Sequence, residues 1–285
     1  MSVTITAVGP DNRGLADPIV HFVTTHGANI SEIQMYDHDS SRLFAMMMRI
    51  DWPIDQMPIQ ELRQQMDGIG EQTGLTIRTW SATEHDRLPR LAIFTTFLPY
   101  TAQAILEDVA DGSTRAEVPL MIGNRAKCRP IAERFGVDWY NIGDAHGMPD
   151  YKQMLRLIDQ YEIDYVVLAR FMRVLPADVC WQLAGRIINL HHGLLPGFPG
   201  MTPYEEAYKL RMLTFGATCH YIVPELDAGN QIIHQQTFCV PPNTPLEQVK
   251  HLGQTQNEPD TLRLGVRRVV HREVELHFHR VLRIQ

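Results

Sequence analysis

Apolar positions along this chain recur with two different periods, and the switches between them outline its organisation. Val3 to Val8 alternates as a strand, in which side chains two apart share a face. Gly9-Pro10-Asp11-Asn12-Arg13-Gly14 reads as a turn, after which Leu15, Ile19, Phe22 and Val23 fall at helical spacing. Gly27 and Asn29 end that helix, and a strand follows through Ile30, Ile33 and Met35. Residues 42–50 (RLFAMMMRI) form another strand, antiparallel to its predecessor if Asp37 to Ser41 is a hairpin loop. Its Met46-Met47-Met48 run reads as core filling. A helix from about Ile59 to Thr73 and a strand from Leu75 to Trp80 complete a βαββαβ order of the ferredoxin type.

Residues 81–90 (SATEHDRLPR) are polar and aperiodic and read as a linker. The pattern therefore divides the chain into residues 1–81, a linker at 82–90, and a second domain over 91–285. In that domain strands are expected near 91–96, 118–122, 137–141, 163–168 and 186–190, with helices near 100–110, 127–135, 150–161 and 174–183. Such alternation, with continuous apolar strands like Tyr165-Val166-Val167-Leu168, implies an α/β, Rossmann-like, mostly parallel sheet covered by helices on both faces. Sheets of this kind bind ligands beyond the carboxyl ends of their strands. Residues 241–270 read as an exposed crossover followed by a helix, with Arg267-Arg268 on a solvated face. His271, His277 and His279 read as belonging to a charged, solvated tail, helical or strand-like.

Composition narrows the function classes. A net charge of -7 and a pI near 6.0 argue against nucleic-acid binding, which needs a basic face. No apolar run approaches the ~18 residues of a membrane span. The four cysteines are far apart without a Cys-x-x-Cys pair, so neither a disulfide framework nor thiol-bound zinc is expected. With no signal-peptide pattern at the start, the expectation is a cytoplasmic protein.

The stretch GRIINLHHGLLPGFPGMTPY, residues 185–204, carries the candidate chemistry. Arg186 to Leu190 reads as a buried strand, so Asn189 and His191 project together while Leu190 and His192 face away. An amide beside an imidazole supplies an oxyanion donor and a proton acceptor; alternatively, the two simply cap a strand. His191 and His192, facing opposite ways, cannot chelate one ion, and no metal site is expected. In GATCHYIVPELDAGNQIIHQ, residues 216–235, Ala217, Cys219, Tyr221 and Val223 alternate as a strand before a turn holding Asp227. An aspartate there is by itself an ordinary turn former.

The run Asn189-Leu190-His191 with Leu195-Pro196, followed later by Leu226-Asp227-Ala228-Gly229, resembles the folate-dependent formyltransferase superfamily. The resemblance implies a catalytic trio of Asn189, His191 and Asp227. It also implies a pterin site lined by Met172, Arg173, Val174 and Leu175 on one side and by Val223, Glu225 and Leu226 on the other. GPDNRGLADPIVHFVTTHGANISEIQ, near the start, resembles an ACT domain. An ACT domain followed by a formyltransferase-like domain is similar to the deformylases of that superfamily. This likeness implies hydrolysis of 10-formyltetrahydrofolate to formate and tetrahydrofolate, in one-carbon metabolism and purine biosynthesis. No cofactor is then required beyond the folate substrate. The expected partners are that folate, an amino-acid effector at the ACT domain, and further copies of the chain in a homodimer or homotetramer, since the first sheet presents edge strands and one open face.

The chain departs from the family pattern at Gly193, where serine is usual, at Asn230, where proline is expected, at Phe97 to Tyr100 and at Gly123-Asn124-Arg125. A phosphorylated acceptor calls for a glycine-rich loop after the first strand of the second domain. IFTTFLPYTAQAIL has no glycine and places Pro99 where backbone amides would point. Water is thus the economical acceptor, with an unphosphorylated amine, or a folate or amino-acid sensor without turnover, as alternatives.

Overall fold

The structure, a computed structural model, describes residues 1–38, 42–84, 86–222, 231–277 and 280–284. It divides into two units. The first comprises Met1–Arg87 with Leu175–Ala184, and the second Leu88–Val174 with Gly185–Gln285.

In the first unit, β1 (Ser2–Pro10), α1 (Asp17–Thr25), β2 (Asn29–His38), β3 (Leu43–Asp51), α2 (Ile59–Thr73) and β4 (Thr76–Trp80) follow the expected βαββαβ order. The strands form an antiparallel sheet ordered β2-β3-β1-β4. Val3, Ile5, Met46, Met48 and Ile50 bury one face against Ile19 and Val23 of α1 and Leu62 and Met66 of α2. The methionine run is therefore core, as its alternation suggests. The opposite face was expected to be open, and it is not. Helix α6 (Ala177–Gln182) covers it, with Trp181 buried against Val8, Ala45 and Met47. Thr6 Oγ1 donates to the Gln182 carbonyl at 3.2 Å. An amphipathic stretch reveals that it needs an apolar partner, but not which sheet supplies it.

Part of the expected linker is also structured. Ser81 is buried and donates to the Ser2 carbonyl at 2.7 Å, and Glu84 forms a two-point ion pair with Arg63.

The second unit alternates β5 (Arg90–Thr95), α3 (Tyr100–Ala110), β6 (Glu117–Gly123), a 3₁₀ turn with α4 (Arg129–Phe135), β7 (Asp138–Asn141), α5 (Tyr151–Gln160), β8 (Tyr165–Leu168) and β9 (Ile187–His191). Then come α7 (Pro203–Lys209), β10 (Thr214–Tyr221), β11 (Ile232–Cys239), α8 (Leu246–Leu252) and α9 (Glu258–Val270). The sheet order is β11-β10-β9-β8-β5-β6-β7. Strands β5 to β9 pair in parallel, while β10 and β11 run antiparallel at one edge. Val166, Val167, Ile187 and Ile188 are fully buried, as strands covered on both faces require.

One C-terminal expectation is corrected. The helix expected after the crossover is α9, with Thr261, Leu262, Val266 and Val269 buried, but Arg267, expected on a solvated face, donates to Asp108 Oδ2 at 2.5 Å. The tail forms a small hairpin of β12 (Val274–His277) and β13 (Arg280–Arg283); His279 lies outside the described residues. All four cysteines are free thiols. Among the described residues, no helix is long and apolar enough to cross a membrane.

Candidate active site

Of the candidate residues, Asn189 and His191 lie at the carboxyl end of β9, and Met172, Arg173 and Val174 follow the carboxyl end of β8. Asn189 and His191 lie in β9 and face the same way, and the register of β10 sets His220 opposite Asn189 and Thr218 opposite His191. His220 Nδ1 lies 3.0 Å from the Tyr221 carbonyl, and its Nε2 lies 3.1 Å from Asn189 Nδ2. A carbonyl only accepts, so the proton sits on Nδ1 and Nε2 must accept from the asparagine amide. One N–H of Asn189 is thereby fixed on His220. Among the described residues nothing accepts from the other, and an unclaimed donor is what an oxyanion site needs.

His191 is buried, and its Nε2 lies 2.7 Å from the Phe198 carbonyl. By the same reasoning Nε2 carries the proton and donates, so in the neutral ring the lone pair is on Nδ1. Gly193 makes this bond possible. A Cβ at that position would lie 2.9 Å from His191 Nε2, 3.0 Å from the Phe198 oxygen and 2.5 Å from Pro203 Cβ. The departure from the family's usual serine is thus matched to the way this chain holds its histidine.

The loop after β9 is clamped from β10. Thr218, fully buried, donates to the Gly193 carbonyl at 2.7 Å and accepts from Leu195 N at 3.1 Å. Gln235 Nε2 adds bonds to Thr218 Oγ1 and the Leu195 carbonyl, both at 2.9 Å. His192 does not face away from His191 as alternation implied. The strand ends at His191, and the two rings lie 5.8 Å apart. Burial, Arg170 and His191 push His192 down to about 3, so it is neutral at ordinary pH.

The segment expected to cradle the pterin follows β8. Met172 and Arg173 are half-buried and Val174 is 64% exposed, whereas Leu175 is buried and belongs to the first unit. Arg173 pairs with backbone, donating to the Gly147 and His146 carbonyls at 3.0 and 3.1 Å. Met172 N donates to Thr96 Oγ1, Thr96 Oγ1 to Asn124 Oδ1, and Asn124 Nδ2 to the Gly147 carbonyl. These bonds tie the ends of β5, β6 and β8 together through two buried polar side chains. Asp227, Val223, Glu225, Leu226 and Asn230 lie outside the described residues. Among the described residues, no cluster of three or more His, Cys, Asp or Glu side chains could hold a metal ion.

Sequence reading missed His220, Arg170 and Glu258. His220 had a signal: in Thr218-Cys219-His220-Tyr221 it lies on the opposite phase of the alternation from Cys219 and Tyr221. Glu258 had none, because it lies far along the chain where the crossover passes into a helix.

Comparison with known proteins places both units in families. The formyl transferase family matches residues 89–262, and the ACT domain family residues 2–79. A formyltetrahydrofolate deformylase of Synechocystis sp. is 32% identical over 290 aligned positions, covering 99% of this chain and 95% of that one. The chain belongs to the formyltetrahydrofolate deformylase family. Another member of this deformylase family, from Bacillus subtilis, is also 32% identical, over 86% of this chain and 82% of its own. The crystal structure of a formyltetrahydrofolate deformylase from Pseudomonas syringae pv. tomato superposes with a TM-score of 0.66 at 25% identity, covering 100% of this chain and 94% of that one. The resemblance to the deformylases therefore runs through both units and not through the formyl transferase part alone.

Proposed function

We propose that this chain hydrolyses 10-formyltetrahydrofolate to formate and tetrahydrofolate. The observation that carries the reading is the pairing, at one strand end, of an amide donor held by His220 with an imidazole whose Nε2 is held by a carbonyl. In this mechanism a water oxygen attacks the formyl carbon as His191 Nδ1 takes its proton. The carbonyl electrons move onto the formyl oxygen, which accepts from the second N–H of Asn189. Collapse of that intermediate breaks the bond to N10, to which His191 returns the proton. On the strength of the resemblance, Asp227 is assigned to holding the water and the charged imidazole. Met172, Arg173, Val174 and Leu175 with Val223, Glu225 and Leu226 are assigned to the pterin. No cofactor takes part in any of these steps.

The test is formate release by the purified chain. Asn189→Ala is expected to lower kcat by about 100-fold or more while the protein stays folded, because one oxyanion donor is worth about 3 kcal/mol. Wild-type protein that releases no formate, or an alanine variant with full rate, contradicts the reading.

A second reading, formyl transfer to an unphosphorylated amine, is favoured by the loop after β5. It presents Phe97 and Tyr100, 52% and 40% exposed, and α3 has Pro99 as its N-cap. Amine-dependent loss of formate at unchanged folate turnover would select it. Folate binding without turnover would select the sensor. We further propose that the first unit binds an amino-acid effector and joins copies of the chain through the β2 edge. There Ile33 and Met35 are 42% and 57% exposed. A cytoplasmic setting and a link to purine biosynthesis complete the proposal.

A further inference from the structure

We propose that Arg125 and Arg173, extended by Lys127, form an anion site for a γ-linked chain of glutamates on the folate substrate. The identity of the anion rests on the deformylase reading; the meeting of two guanidiniums at one loop does not.

The site is built around Gly147, in the loop between β7 and α5 of the second unit. Asp144 closes that loop, its Oδ1 accepting from the His146 and Met148 amides, both at 2.8 Å. Gly147 sits at φ 75°, a conformation that glycine adopts without steric cost. Its missing side chain also makes room for Arg125, whose Nε would lie 2.6 Å from a Cβ there. From this seat Arg125 Nη1 donates to the Ala145 carbonyl at 2.9 Å. Arg173 reaches the same loop from beyond β8, with Nε on the Gly147 carbonyl and Nη2 on that of His146. Guanidiniums from beyond the carboxyl ends of β6 and β8 thus meet at one glycine.

Carbonyls hold these arginines and leave their charge unanswered. Arg170, just before Arg173, is paired with Glu258 at 2.7 Å, and Arg129, just after Arg125, with Glu133 at 2.7 Å. Arg125, Lys127 and Arg173 have no such partner among the described residues, in a chain of net charge -7. A guanidinium carries five N–H donors in a fixed fork. Arg125 spends one of them and Arg173 two, so both keep donors for a ligand. Both side chains are half-buried and Lys127 is exposed. Guanidiniums anchored in this way are organised in advance to grip carboxylates by paired hydrogen bonds. Position selects the anion. The main chain of Arg173 belongs to the segment assigned to the folate, while its side chain leaves that segment for the loop. Met172 N is tied through Thr96 and Asn124 to the Gly147 carbonyl. The anionic end of a folate is its glutamate, and each further γ-linked glutamate adds one carboxylate. Such a chain suits a row of separate cations.

The test is calorimetry on the full chain, comparing tetrahydrofolate that bears one glutamate with the same compound bearing three. Wild-type protein is expected to bind the triglutamate about tenfold more tightly, with the gap narrowing at high salt. In Arg125→Gln/Lys127→Gln that ratio is expected to fall to about one. The ratio is the readout because a loop that is merely loosened weakens both ligands alike. Should the double variant lose its near-ultraviolet dichroism, Lys127→Glu replaces it, since that side chain is exposed. The ratio is then expected to fall about threefold. Wild-type protein that binds both ligands equally, or a variant that keeps the full ratio, overturns the proposal and leaves folate binding standing. Protein that binds neither ligand overturns this proposal and the deformylase reading together.

Discussion

Asn189 and His191 owe their setting to groups that hold the far side of each. His220 takes one amide hydrogen of Asn189, and the Phe198 carbonyl takes the Nε2 hydrogen of His191, so that one donor and one lone pair stay unclaimed among the described residues. The two residues could be picked out from sequence because the strand period is local. Their partners could not, because a hydrogen bond across 31 positions depends on register. His192 carries a prediction at the same scale. With its folded value near 3 and an unfolded value of about 6.5, it binds its proton more readily in the unfolded chain. Its contribution to stability is therefore complete above about pH 6.5 and drains away as pH falls towards 3. The fall in Tm between about pH 7 and about pH 4 is expected to be smaller in His192→Gln than in wild type. Equal falls would contradict this assignment.

Among the elements, β10 shapes the site most. Its Thr218 hydroxyl joins the Gly193 carbonyl and the Leu195 amide, and Gln235 reaches over from β11 to the same hydroxyl. The loop held in this way delivers the Phe198 carbonyl to His191. Thr218→Val keeps the shape and strands two buried backbone groups, at a cost of about 1–3 kcal/mol each. The urea midpoint is expected to drop without a change in m, and kcat is expected to fall with it. A variant with the wild-type midpoint would show that the clamp is dispensable. The elements themselves were largely legible: α2 and α3 fall on their expected ranges, because helical periodicity is a property of neighbouring residues. In helix α9 the element was legible and the setting of Arg267 was misread. Arg267 and Arg268 look solvated in a linear pattern, yet Asp108 on α3 receives Arg267, together with Arg263 from the same helix.

At the scale of the molecule, the first unit is not one continuous stretch of chain. Residues 1–87 supply the sheet and two helices, and the segment 175–184 closes the second face with Trp181. A fragment ending at residue 87 would leave Val8, Ala45 and Met47 uncovered, and contiguous exposed apolar surface promotes association. That fragment is expected to bind an apolar dye and to self-associate in light scattering. A monomeric fragment that leaves the dye dark would show that α6 is not needed there.

The amino-acid sequence determined what depends on near neighbours: the order and type of the elements, the βαββαβ and alternating patterns, and the shared face of Asn189 and His191. Tertiary structure alone decided which sheet α6 covers, that His220 faces Asn189, and that Glu258 ends up buried beside Arg170. The physical reason is the range of the forces. Periodicity reports on the next few residues, whereas burial, register and the field at a side chain are set by segments that meet only once the chain has folded.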